Sequence, residues 1–220
     1  MRSPLNRGGL RSYLVLFALL RGGATHWSIL GGIPLIVAGA LLHLWAKGCL
    51  RQNRVVAKIG PYRFVRHPFY LANALVDAGI AVMSGWWMLD ALLPVWWLAI
   101  YLPVIGQEEN YLVGDFGADY EQYRRRVPCL IPWRRPLPRT ADGFRWDNPN
   151  ITEDGAISRS LRLLAYPLLL FACMRLRADG LSFFANPVNL GALVLLSLWY
   201  GLVSRRWRPA RSIFSAAGQS

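Results

Sequence analysis

The chain has 220 residues, 54% of them hydrophobic and only 17% charged, against roughly a quarter charged in soluble domains. That balance excludes an ordinary soluble domain and places the chain in the integral membrane class. The formal charge of +13 does not indicate a nucleic-acid partner, because the positive residues fall in short segments flanking apolar runs, as the positive-inside rule requires.

In chain order, the hydropathy pattern predicts an all-α polytopic membrane helix bundle of about six spans, each needing about 20 apolar residues. Leu10–Leu20 is short and must borrow flanking residues or tilt, and Trp27–Ala46 is the clearest span. Phe69–Gly106 is too long for one helix, and Gly85 with Trp86 and Trp87 marks a tight hairpin that divides it in two. Leu161–Met174 and Leu181–Val203 supply a C-terminal helix pair. Between the first four helices and that pair, Trp133–Ser160 is polar and carries Pro136, Pro138 and Pro149. The expected organisation is therefore a core over residues 1–135, a linker over 136–160, and a helix pair with a basic tail over 161–220. Cys49, Cys129 and Cys173 lack metal-ligand spacing and are read as unpaired, with no metal site.

Lys and Arg set the orientation. With six spans, one side holds the basic N-terminus, Lys47 to Arg66, Arg124 to Arg159 and the C-terminal arginines. The other side holds only Arg21, Arg175 and Arg177. Both termini are expected in the cytoplasm, in a multi-pass protein.

Two charged motifs emerge on that same side. The first is GPYRFVRHPFY at residues 60–70, and the second begins at Glu108–Glu109. Ionisable residues beside a bilayer mark a functional site by default. Gly60–Pro61 is a turn signal, and Pro68 suits the first turn of the following helix. A helix N-terminus beside Arg66 and His67 favours a carboxylate or phosphate. Tyr62 and Tyr70 flank it with ring faces and hydroxyls. A basic, aromatic interface anchor is the competing reading of this motif. Successive helical residues point about 100° apart, so one of Glu108 and Glu109 should face a pocket and the other Arg or water. Beyond them Leu112, Val113, Phe116, Tyr120 and Tyr123 recur at helical spacing. Counted from Glu109, that spacing predicts an amphipathic helix lying on or capping the membrane-side core, ended by Val127–Pro128, with its stripe read as core packing. The set suits a cationic, partly zwitterionic small molecule, held by carboxylate and aromatic faces.

GPYRFVRHPFYLAN followed by EENYL and FGADYEQYRRRVP resembles the isoprenylcysteine carboxyl methyltransferase and phospholipid methyltransferase superfamily, over roughly residues 27–135. The resemblance implies an integral membrane enzyme using S-adenosylmethionine, with its active site at the cytoplasmic face. It implies cofactor contacts from Tyr62, His67, Pro68, Tyr70 and Glu108, and from the stretch Arg54, Val55, Val56 and Ala57, largely through backbone. Arg66, His67 and Glu109 are the candidate catalytic residues. The eukaryotic prenylcysteine enzymes carry a substrate-contacting arginine one helical turn before the cofactor glutamate. Val104 stands there in this chain, which speaks against a carboxylate-bearing prenylcysteine.

The expected reaction is methyl transfer to a lipophilic acceptor in the bilayer, with oxygen, nitrogen and sulfur acceptors all open. Two readings compete: an NADPH-dependent membrane reductase of related architecture, and a non-catalytic membrane scaffold. Oligomeric state leaves no trace in the sequence.

Overall fold

Helices α1 (His26–Cys49) and α2 (Pro68–Ser84) lie antiparallel and in contact along their length in a computed structural model. It describes residues 14–18, 20, 23–50, 55–140, 143–152, 156–163 and 165–204. Small residues permit the close approach. A Cβ on Gly39 would fall 2.7 Å from the carbonyl of Ala72, and one on Gly79 would fall 2.9 Å from that of Gly32. Small-residue seams of this kind are how helices associate in a bilayer, where burying apolar surface brings little gain. A capping box between Thr25 and Ser28 opens α1, and the Ser28 hydroxyl also donates to the Met83 carbonyl at 3.1 Å.

The hairpin expected at Gly85 is present. Gly85 takes φ 64°, caps α2, and has Gly23 packed against it, so any side chain there would be strained and crowded. Helix α3 then runs from Trp87 to Phe116. Its 30 residues span about 45 Å. That exceeds the roughly 30 Å hydrocarbon core, so the helix can carry charge well clear of it. The amphipathic stretch expected from Glu109 to Val127 is divided: α3 carries it as far as Phe116, and the chain turns at Gly117, with φ 52°. A lone glycine weakens a helix by only about 1 kcal/mol, whereas a left-handed φ ends one. Helix α4 (Ala118–Arg126) has Asp119 and Glu121 in its first turn and Arg124 to Arg126 in its last, matching its dipole.

Helices α1 and α3 are long and apolar enough to cross a membrane. Helix α2 has 17 residues, or about 25 Å. Helices α5 (Ala156–Leu163), α6 (Ala165–Asp179) and α7 (Pro187–Ser204) follow. A 3-10 turn, Gly180–Ala185, joins α6 to α7, and together they form an apolar pair bent by 102°, the shape of a broken span or a re-entrant loop. The described residues are thus all-helical with two clear spans. Of the first expected span, residues 14–18 and 20 are described and helical. Within the polar stretch read as a linker, Asn148 and Asn150 donate to the Leu50 carbonyl at 3.0 and 2.8 Å, and the Arg145 amide donates to that of Gly48 at 3.1 Å. They satisfy carbonyls that the end of α1 leaves open.

Candidate active site at the start of α2

The 3-10 turn Gly60–Arg63 begins on Gly60, at φ 55°, and returns the chain to the core. Arg66 and His67 then lie beside residues 127–129, with the Arg66 amide donating to the Pro128 carbonyl at 2.9 Å and the His67 amide to that of Cys129 at 3.1 Å. The bundle brings Glu109 of α3 to the same point.

Arg66 is the hub. Its Nε and terminal nitrogen reach Glu109 Oε1 at 2.8 and 2.6 Å. The other terminal nitrogen donates to the carbonyls of Arg124 (2.9 Å) and Val127 (2.6 Å), at the end of α4. One planar fork thereby joins three distant segments, which a lysine's point charge cannot do. His67 Nε2 lies 3.1 Å from Glu109 Oε1, and Arg124 Nε 3.7 Å from Glu109 Oε2.

Glu108, one residue away, has other surroundings. Its side chain is 46% exposed against 11% for Glu109. It accepts a hydrogen bond from the Tyr70 hydroxyl at 2.7 Å, and its Oε2 lies 4.0 Å from His67 Nδ1. The two ring nitrogens of His67 thus face different glutamates, Nε2 toward Glu109 and Nδ1 toward Glu108. An aromatic ladder descends from here: His67 on Tyr70, Tyr70 edge-on to Tyr101, and Tyr101 stacked on Trp97 at 4.2 Å.

The remaining expected residues divide as follows. Pro68 is buried at the first position of α2. Val56 packs against Tyr120, Tyr123 and Val127, and Ala57 packs beside Tyr62, while Val55 is exposed. Arg54 lies outside the described residues. Tyr62 is buried with its hydroxyl lacking a hydrogen-bond partner among the described residues, and burial pushes it well above the ordinary tyrosine range. Arg124, Tyr120, Tyr123 and Cys129 also surround the cluster. The Tyr-x-x-Tyr spacing and the arginine after it were the available signals for three of them. Burial pushes the Cys129 thiol up.

His67, Glu109 and Cys129 offer ligand atoms within 4.8 Å of one another. However, the Glu109 oxygen in that trio already receives Arg66 twice and His67 once. Its lone pairs serve the protein's own cations. A cavity of about 340 Å³ lined by Gly23, Ala24, Cys173 and Met174 adjoins the opposite end of α1, away from these charges.

The arrangement is that of an all-helical membrane protein with a polar cluster at one end of its bundle. Its curated relatives indicate which class. The chain is 43% identical over 77 residues to methanethiol S-methyltransferase 1 of Bradyrhizobium diazoefficiens, covering 34% of this chain and 26% of that protein. It is 37% identical over 81 residues to the protein-S-isoprenylcysteine O-methyltransferase of Schizosaccharomyces pombe, covering 37% and 34%. It is also 31% identical over 102 residues to the cobalt-zinc-cadmium resistance protein CzcN of Cupriavidus metallidurans, covering 46% of each. No family model and no solved structure matches. The chain's curated homologues, at modest identity and over part of its length, thus include methanethiol S-methyltransferases and a protein-S-isoprenylcysteine O-methyltransferase. The match spans only about a quarter to a half of these relatives' own lengths.

Proposed function

We propose that the protein is an S-adenosylmethionine-dependent membrane methyltransferase acting on a lipophilic acceptor at the cytoplasmic face. The carrying observation is the split glutamate pair. Glu109 is locked into the Arg66–His67 cluster, while Glu108 stands half-exposed beside Tyr70 at the start of α2.

The residues fit a sulfonium cofactor. Glu108 offers an anion to a cationic centre, Tyr70 beside it offers a ring face, and the buried Tyr62 hydroxyl needs a partner. S-adenosylmethionine, when bound, supplies a sulfonium methyl group to a nucleophile. Tyr62, His67, Pro68, Tyr70, Glu108 and the 54–57 stretch would hold it. Arg66 and Glu109 fix the geometry of this wall, so that acceptor and donor meet in one orientation. His67, oriented by Glu109, presents Nδ1 as the atom that takes a proton from a thiol or amine acceptor.

Val104, partly buried against the core one turn before Glu108, provides no cation for an acceptor carboxylate. That favours a neutral, lipophilic nucleophile over a prenylcysteine acid, and three of the relatives are named for methylating a small thiol. The CzcN likeness would favour metal binding only if the Glu109 oxygen were released from Arg66. The basic flanks of the spans support a multi-pass chain with this site on the cytoplasmic side, and a core of residues 1–135 followed by the C-terminal helices.

Calorimetry on detergent-purified protein tests the reading, with S-adenosylmethionine, S-adenosylhomocysteine and NADPH as titrants. Saturable binding of the two sulfur compounds is expected. NADPH binding in their place would move the protein to the reductase class, and binding of none would leave the scaffold.

A further inference from the structure

Helix α4 places two tyrosines on the face turned toward the site, and they differ in one respect. Tyr123 donates its hydroxyl to the Tyr62 carbonyl at 2.8 Å. Tyr120 is 2% exposed, and its hydroxyl has no hydrogen-bond partner among the described residues. Buried hydroxyls are almost always paired, so an orphan needs a reason. Its surroundings supply one. Tyr120 packs in one cluster with Val56, from the stretch assigned to the cofactor, and Glu109, Arg66, Glu108 and Cys129 are its charged or polar neighbours. The Tyr62 hydroxyl, also an orphan, has Glu108 among its electrostatic neighbours and Ala57 packed nearby. Two unpaired buried hydroxyls thus flank residues 56–57.

We propose that Tyr120 is a positioning residue of the cofactor pocket, whose hydroxyl gains its hydrogen bond from bound S-adenosylmethionine. This rests on the methyltransferase reading and adds a contact from α4. Binding then tightens α4 over the site, because the ligand satisfies a group the protein leaves open.

The test is Tyr120→Phe, measured as thermal midpoint without ligand and as S-adenosylhomocysteine affinity by calorimetry. An orphan hydroxyl contributes nothing to the ligand-free fold, so the midpoint should hold or rise. Loss of the ligand's hydrogen bond should weaken affinity about tenfold. Tyr123→Phe is the contrast, because it removes a bond the protein itself makes and should lower the ligand-free midpoint. A lowered midpoint or a failure to fold for Tyr120→Phe would overturn the inference, as would unchanged affinity while the wild type binds. If the wild type does not bind S-adenosylhomocysteine at all, the methyltransferase reading falls and this inference falls with it.

Discussion

Glu108 and Glu109 are chemically identical neighbours with opposite surroundings. Around Glu109 the polar groups are matched to one another: two nitrogens of Arg66, His67 Nε2 and Arg124 converge on one carboxylate. Around Glu108 the surface is open, and Tyr70 alone holds it by a direct hydrogen bond among the described residues. The difference teaches how a short motif divides its labour. One glutamate assembles three segments, and the other is left to be used.

The largest expected effect comes from breaking the closed side. Arg66→Ala would leave Glu109 a mostly buried charge with only His67 and the more distant Arg124 beside it, and free the carbonyls of Arg124 and Val127. A loss of about 3 kcal/mol is expected. Arg66→Lys should recover little of it, since an ammonium cannot fork across carboxylate and carbonyls. Thermal midpoints in detergent check both. A Lys variant as stable as wild type would show that charge, not geometry, holds the cluster.

The tyrosines of the cap sharpen the comparison from another side. Burial is the first cause raising the hydroxyls of Tyr62, Tyr120 and Tyr123 above the ordinary 10.0. A raised folded value means that the fold favours the protonated form. Their contribution is fully present below pH 10 and declines as pH rises beyond it toward the folded values. The ligand-free midpoint should therefore fall steeply only above about pH 10. Replacing all three by Phe should flatten that limb, as pH-resolved melting would record.

On the open side, Glu108→Gln keeps an acceptor for Tyr70 and should lower stability by only about 0.5–1 kcal/mol. Under the proposed function it should still weaken S-adenosylmethionine binding, because it removes the charge facing the sulfonium. Affinity unchanged by calorimetry would sink the assignment of Glu108.

Parts of this division were legible in the sequence. The 100° offset between adjacent helical residues demanded that the glutamates part company, and Gly85 before two tryptophans announced the hairpin. The turn at Gly117 inside the amphipathic stretch was not legible, because the sequence does not distinguish a glycine that takes a positive φ, as Gly117 does, from one that stays helical, as Gly106 does. The reach of Arg66 to Arg124 and Val127 was not legible, since its targets are carbonyls and any residue can supply one. Asn148 and Asn150 escaped notice for the same reason: they bind the backbone at the end of α1. Tyr120 was hidden within an ordinary apolar stripe, and only the missing partner of its hydroxyl sets it apart.

The smallest expected effect lies where the two sides meet. Lys58, just beyond the 54–57 stretch, pairs with Asp119 of α4, next to Tyr120. Both side chains are substantially exposed, at 36% and 58%. Water and salt screen such a pair, so Lys58→Ala should cost about 0–1 kcal/mol, and less at high salt. Cofactor affinity should move by less than about twofold, since an effect of that size lies within what one exposed pair can supply. A tenfold loss would mean that this ion pair latches the loop to α4 over the ligand. The boundary between closed cluster and open face would then run through α4 itself.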